Sequence, residues 1–323
     1  MKKYLDLLKT VLTTGKWQQN RTGIRTISAP GQMLKFDLQE GFPAMTTRKL
    51  AVKTGAGELV GFLRAESSAA GFRALGCKVW DQNANENKQW LENPYREGPD
   101  HLGDIYGVQW RKWPAYKQIP AANEAQLNDA LDRGYEIISE RLVDDKIVLI
   151  LFKEIDQVRE CLDKIVYNPE DRRILFHGWN PAVLDQIALP SCHLLYQFHA
   201  NKELKELSMT LFIRSSDGGL GLPLNVHEAG LLLSLMSHLS GYTPRLLTVM
   251  LGDSHIYENQ LDMVNEQFNR EPYASPRLRI SGRVPAFAET GVYQPEWLDL
   301  IEPSDFILED YQHHAPLTAA MAV

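Results

Sequence analysis

Apolar residues recur every three or four positions over residues 2–14, where Tyr4, Leu5, Leu8, Val11 and Leu12 share one face. That spacing predicts a helix ending near Gly15. Alternation then takes over: Thr26-Ile27-Ser28 and the run from Met33 to Leu38 predict strands, and Asn20-Arg21-Thr22-Gly23 before them reads as a turn. The helical period returns from Ala56 to Arg64, with Leu59, Phe62 and Leu63 on one side and Glu58 close by, so partial burial of a carboxylate is expected. Ile147 to Phe152 predicts a buried strand, and residues 154–166 a helix with Ile155, Val158, Cys161, Leu162 and Ile165 inward, stopped by Asn168-Pro169. Strands are predicted at Arg173 to His177, Leu194 to His199 and Leu207 to Arg214. Residues 226–239 are apolar or small almost throughout and predict a helix buried on most sides. Residues 82–104, rich in Asn, Glu, Gly and Pro, and the mixed stretch 115–145 read as surface elaborations. Separated strands and helices without a regular βαβ alternation indicate an α+β fold.

Composition narrows the class. The 323 residues are 44% hydrophobic and 23% charged, enough for one large core, and no repeat, low-complexity tract or linker divides them. The expectation is a single domain, 1–323, with insertions near 82–104 and 115–145. The N-terminal pattern is amphipathic, with Asp6 inside it, and no window nears the roughly 18 apolar residues of a membrane span. A cytoplasmic protein without membrane contact is expected. A net charge of −7 disfavours a protein that coats nucleic acid. Three cysteines, Cys77, Cys161 and Cys192, lack the close spacing of a zinc site and cannot all pair, so neither a disulfide framework nor a metal is expected.

Candidate chemistry follows from position. Free cysteine is usually a small buried hydrophobe, which suits Cys161 on its apolar face and Cys77 between Gly76 and Lys78. Cys192 differs, because Pro190 restrains its approach, His193 is adjacent and a strand follows; arginines elsewhere can favour a thiolate. Arg172-Arg173 at a strand entry, and Arg214 before Ser215-Ser216-Asp217, suit phosphate oxygens, although solvated arginine is the ordinary alternative. The Gly218 to Asn225 segment lacks the spacing of a phosphate-cradling loop. Asn225, where the buried helix begins, is either an N-cap or a reader of an amide edge. His255 and Tyr257, two apart in an extended stretch, face one way and suit a sugar hydroxyl, or are simply two satisfied polar groups.

Taken in order, these blocks resemble the thymidylate synthase family over nearly the whole chain. The matching motifs include Arg21-Thr22-Gly23, Glu58-Leu59 with Phe62-Leu63, Trp80-Asp81, Tyr106-Gly107 with Gln109-Trp110-Arg111, and Asp171-Arg172-Arg173. They continue through Leu189, Pro190, Cys192-His193, Arg214-Ser215 with Asp217, Leu220 to Pro223, Asn225, Gly252-Asp253, His255 and Tyr257. The resemblance implies a large mixed β-sheet at a homodimer interface, covered by helices, with dUMP and 5,10-methylenetetrahydrofolate as substrates and dTMP and dihydrofolate as products. It implies that Cys192 adds to carbon-6 of the uracil, activating carbon-5 towards the folate's methylene group. Asn225 would hold the pyrimidine edge. Arg21, Arg214 and Ser215 would bind the phosphate, joined by Arg172 and Arg173 donated across the dimer interface. His255 and Tyr257 would hold the deoxyribose. Glu58, Tyr106 and His193 would serve proton transfers, and Asp217, Trp80, Leu189, Gly221 and Ala322 would meet the folate, the last from an apolar C-terminal tail that closes the site.

Several positions depart from the family's commonest pattern: Arg48 for lysine, Ala51 for histidine, Gln82-Asn83 for Glu-Trp, Leu224 for phenylalanine, and Ser191 for the proline before the cysteine. Most bear on the folate side. The neighbouring readings are a dUMP hydroxymethylase of the same fold, in which water replaces hydride, and an RNA-binding translational regulator. Asn225 rather than aspartate favours uracil over cytosine.

Overall fold

The computed structural model describes residues 2–320. Its strands are β1 (Lys16–Gln18), β2 (Thr26–Ser28), β3 (Gln32–Asp37), β4 (Trp113–Pro120), β5 (Glu136–Val143), β6 (Lys146–Ile155), β7 (Leu175–His177), β8 (His193–Asn201), β9 (Glu206–Asp217), β10 (Thr243–Tyr257), β11 (Arg277–Ile280) and β12 (Phe306–Glu309). Seven of them form one sheet in the order β1-β2-β10-β9-β8-β7, with β3 also paired to β10. The β9–β10 pair is parallel and its neighbours are antiparallel, so the sheet is mixed. The α+β expectation and the large mixed sheet are borne out.

The period-two pattern explains which side of the sheet is covered. Leu207, Met209, Leu211 and Ile213 of β9, and Leu247, Val249 and Leu251 of β10, are buried towards the helices. The intervening positions are more open: Met33 on β3 is 54% exposed, and Leu246 and Met250 on β10 are 41% and 44%. The Gly221–Ser240 helix lies in the middle of the buried layer, with its Leu231, Leu232, Leu233, Leu235 and Met236 side chains inaccessible, as its unbroken apolar composition predicts. It ends at Gly241, whose φ of +77° suits glycine.

Helix and strand limits shift in physically intelligible ways. The first helix is Lys2–Thr14, as its periodicity predicts. The helix expected from residue 154 starts instead at Gln157, because Asp156 caps it by accepting from the Arg159 N–H at 3.0 Å, leaving Glu154 and Ile155 to end β6. The Ile147 to Phe152 run is a strand, but β6 is central to a separate three-stranded antiparallel sheet, β4-β6-β5, and Ile147 is 49% exposed. One side of that small sheet is covered by the Glu124–Asp132 helix, and Ile119, Ala130 and Leu151 form a core of their own. Runs of apolar residues look alike in a large core and a small one; period alone does not separate them. The 82–104 stretch is more integrated than a surface reading implies, since Trp90 and Leu102 are buried in the main core.

Burial also fixes a histidine's charge. His227, on the central helix, packs edge-on against Phe42 and bonds the Val52 carbonyl at 3.3 Å; burial lowers its pKa to about 4. The unfolded chain therefore binds the extra proton between about pH 6.5 and 4, so this group's stabilisation is present above that window and is lost as pH falls through it. The unfolding free energy of a His227→Gln variant is expected to fall between pH 7 and 5 by about 2 kcal/mol less than that of the parent, measured by urea denaturation.

Candidate active site

A cleft of about 460 Å³ opens at the ends of β2, β8, β9 and β10. Arg21, Leu189, Cys192, Arg214, Ser215, His255 and Tyr257 line it, so one cavity gathers residues spread over more than two hundred positions of sequence. Cys192 stands immediately before β8, and the pairing of β8 with β9 shifts register between His193 and Leu195. An irregularity there redirects the chain beside the cysteine. Ser191, buried, donates to the Gly178 carbonyl at 3.1 Å and so ties down the residue before the nucleophile.

Arg214 organises the approach to the thiol. Its guanidinium donates to the Ser191 and Pro190 carbonyls, both at 2.9 Å, and stands 3.8 Å from Cys192 Sγ. It also lies over the Trp179 ring, at 5.6 Å from the centroid. A cation so placed stands beside the thiol and still faces the cleft, where an anionic group can meet it. Gly252 makes this crossing possible, because a Cβ there would come within 2.8 Å of the Arg214 carbonyl. The other two thiols are of a different kind: burial pushes those of Cys77 and Cys161 up, as their structural reading requires.

The polar wall is built by β2 and β10. His255 Nδ1 meets Asp253 at 3.2 Å, and Asp253 in turn accepts a hydrogen bond from Ser28, fixing the imidazole orientation. These bonds hold the Asp253 carboxyl below the usual carboxylate range, the His255 contact most strongly. The Tyr257 ring stands edge-on to His255 with centroids 5.1 Å apart, so the two side chains do share a face. Arg21 is exposed on the Asn20–Gly23 turn, which Asn20 closes by accepting from the Thr22 N–H at 2.9 Å and donating to the Ile24 carbonyl at 2.8 Å.

Behind Cys192 lies a buried layer of aromatic and acidic groups. Tyr106 Oη accepts the Cys192 backbone N–H at 2.7 Å, and its ring stacks on Phe62 at 4.8 Å. Burial raises the Tyr106 pKa well above its ordinary value, so the hydroxyl keeps its proton. Gly107 permits the close helix crossing beside it, since a Cβ there would meet the Phe62 carbonyl at 2.3 Å. Glu58 is 8% exposed and accepts the Trp80 indole N–H at 3.0 Å. Burial raises its pKa. His193 contacts Tyr196 Oη at 3.0 Å and hydrogen-bonds Asn225, and burial lowers its pKa to about 4, which leaves a neutral imidazole.

The remaining expected residues fall in several separate places. Asn225 lies one turn inside the Gly221–Ser240 helix, whose N-cap is Leu220, so the N-cap reading of Asn225 does not hold and its side chain meets His193 instead. Asp217 accepts from the Gly219 and Leu220 N–H groups at 3.0 and 3.2 Å and from Gln260 at 2.9 Å, with Gly221 beside it. Arg48 is buried beneath this turn and donates to the Gly219 carbonyl at 2.9 Å. Trp80 packs against Phe62, Phe72 and Tyr106 rather than lining the cleft. Arg172 and Arg173 lie apart, in a shallow depression with Asp171, which ion-pairs Arg173 at 2.9 Å. Ala322 is outside the described residues; nearby Ala320 accepts from Asn259 Nδ2 at 3.1 Å.

Asn87 and Gln89, which reach the cleft from the 82–104 stretch, and Trp179, Thr22, Thr26 and Asp253 also line it, although the sequence assigns none of them a site role. Trp179 and Asp253 each adjoin a residue already singled out, but no local pattern marks Asn87 or Gln89. Among the described residues, no cluster of His, Cys, Asp or Glu is placed to hold a metal ion, and no helix is long and apolar enough to cross a membrane.

A family model described as thymidylate synthase matches residues 2–323. Thymidylate synthases from Pseudomonas putida and Pseudomonas syringae pv. tomato are 63% and 62% identical to this chain, and that from Bordetella parapertussis is 59% identical, each over the full length of both chains.

Proposed function

The chain belongs to the thymidylate synthase family, and we infer that the Cys192 cleft is where it carries out that family's reaction, reductive methylation of dUMP to dTMP. The observation that carries this reading is the meeting, in one cavity, of a thiol, a guanidinium 3.8 Å from it, and the phosphate- and sugar-binding types Arg21, Ser215, His255 and Tyr257. Cys192 adds to carbon-6 of the uracil, which makes carbon-5 nucleophilic. Arg21, Arg214 and Ser215 hold the phosphate; His255 and Tyr257 hold the 3′-hydroxyl. Asn225 bonds the pyrimidine edge, and Glu58, Tyr106 and His193 serve the proton transfers.

The co-substrate, 5,10-methylenetetrahydrofolate, supplies the one-carbon unit and the hydride. Ala188, Leu189 and Pro190 give the cleft an apolar edge suited to its flat ring; Asp217 and Gly221, together on the turn that opens the Gly221–Ser240 helix, are assigned to the same co-substrate, with Trp80 supporting the site from the buried aromatic layer. We read the whole chain, 1–323, as one catalytic domain with insertions near 82–104 and 115–145. A homodimer in the cytoplasm fits best. Arg172 and Arg173 lie outside their own chain's cleft, and the open sheet face carrying Met33, Leu246 and Met250 suits a second copy that would bring them to its partner's phosphate site.

Incubation with dUMP and methylenetetrahydrofolate, with both product classes followed, tests the reading. dTMP and dihydrofolate in equal amounts are expected. Hydroxymethyl-dUMP with tetrahydrofolate would overturn it in favour of a hydroxymethylase, and turnover of dCMP at the same rate would refute the uracil specificity assigned to Asn225.

A further inference from the structure

Glu58 does not stand alone. Glu228, on the Gly221–Ser240 helix, is 4% exposed and its side chain packs against Gly55 of the adjacent Val52–Leu63 helix, with its carboxyl beside that of Glu58. One Glu228 oxygen, Oε1, has no hydrogen-bond partner among the described residues. The groups facing the pair are Trp80, Tyr106 from the Tyr106–Arg111 helix, Tyr196 from β8 and Cys77, with His227 next in sequence to Glu228. Burial favours the uncharged form in all of those that titrate. Two carboxylates cannot both stay ionised in such surroundings, so the pair holds a proton.

Its resting place follows from the contacts. Glu58 already accepts the Trp80 N–H, which favours charge on Glu58, whereas Glu228 receives no such donor at Oε1 among the described residues and is the better place for the proton. The ground state is thus a protonated Glu228 carboxyl beside a Glu58 carboxylate. We propose that Glu228 is a positioning residue that stores a proton for Glu58, so that Glu58 can act as an acceptor or, after the shared proton crosses, as a donor. In that crossing the O–H bond to Glu228 breaks as the O–H bond to Glu58 forms. The pair keeps one proton and one negative charge throughout, and no co-reactant is needed. The inference rests on the reading of Glu58 as a proton-transfer group.

The test compares the parent with Glu228→Gln and Glu58→Gln. A glutamine at 228 donates an amide N–H but holds no transferable proton, so Glu58 is locked as acceptor. Expected for Glu228→Gln are a kcat lower by about 10²-fold, a KM for dUMP changed by less than about threefold, and a pH optimum displaced to lower pH by about one unit. Infrared spectroscopy of the parent at neutral pH should show a buried protonated carboxyl that is absent from Glu228→Gln. A Glu228→Gln enzyme with the parent's kcat and pH profile overturns the inference. So does a parent spectrum without that carboxyl, a result that does not depend on the variant folding. Full activity in Glu58→Gln would instead overturn the underlying reading of Glu58.

Discussion

Replacing Cys192 by serine is expected to lower kcat by on the order of 10⁴-fold or more, close to 5–6 kcal/mol of transition-state stabilisation. A serine hydroxyl fits the same space but stays protonated near neutral pH, and among the described residues the side chain hydrogen-bonded to this position is a cation rather than a base. Arg214, 3.8 Å from Sγ, offers charge to an anion already formed but takes no proton. Binding of dUMP should persist, because phosphate and sugar contacts come from other side chains. Calorimetric titration of Cys192→Ser with dUMP should give a Kd within about threefold of the parent, and turnover within about tenfold of the parent would remove Cys192 from its assigned role.

Arg214→Ala is expected to lower kcat/KM for dUMP by about 10³-fold, through both KM and kcat. The side chain has two tasks that no neighbour duplicates: it binds the Pro190 and Ser191 carbonyls that shape the loop before the nucleophile, and it presents charge to both thiol and cleft. Arg214→Lys retains the charge but not the fork and should recover only part of the loss. Steady-state kinetics of the two variants separate these tasks. A lysine variant as active as the parent would show that charge alone matters, and an alanine variant with unchanged KM would place the phosphate elsewhere.

The parts of the fold legible in the sequence are those where one rule dominates. The Lys2–Thr14 helix has a clean apolar stripe, β9 a clean alternation, and the Gly221–Ser240 helix an unbroken apolar run. The β4-β6-β5 sheet was harder to read, because Ile147 to Phe152 carries the composition of a deep strand yet serves a core of only a few side chains. Local signals for Cys192 were weak, and the ordered motifs around it made it a nucleophile with a target atom. The structure then adds what spacing cannot: the Arg214 contact, the tyrosine behind the cysteine's backbone, and Asn225 one turn inside its helix rather than at the cap. Glu228 was invisible because a glutamate inside an apolar helix gives no hint that its neighbour in space is another carboxylate.

The central claim is a covalent bond between Cys192 and carbon-6 of the pyrimidine. It is tested most directly with 5-fluoro-dUMP and methylenetetrahydrofolate, because fluorine at carbon-5 cannot leave as the proton does and the adduct should accumulate. Intact-mass measurement followed by peptide mapping is predicted to place nucleotide and folate together on the peptide carrying Cys192. An adduct on Cys77 or Cys161, or an unmodified protein that still turns over dUMP, would contradict the account.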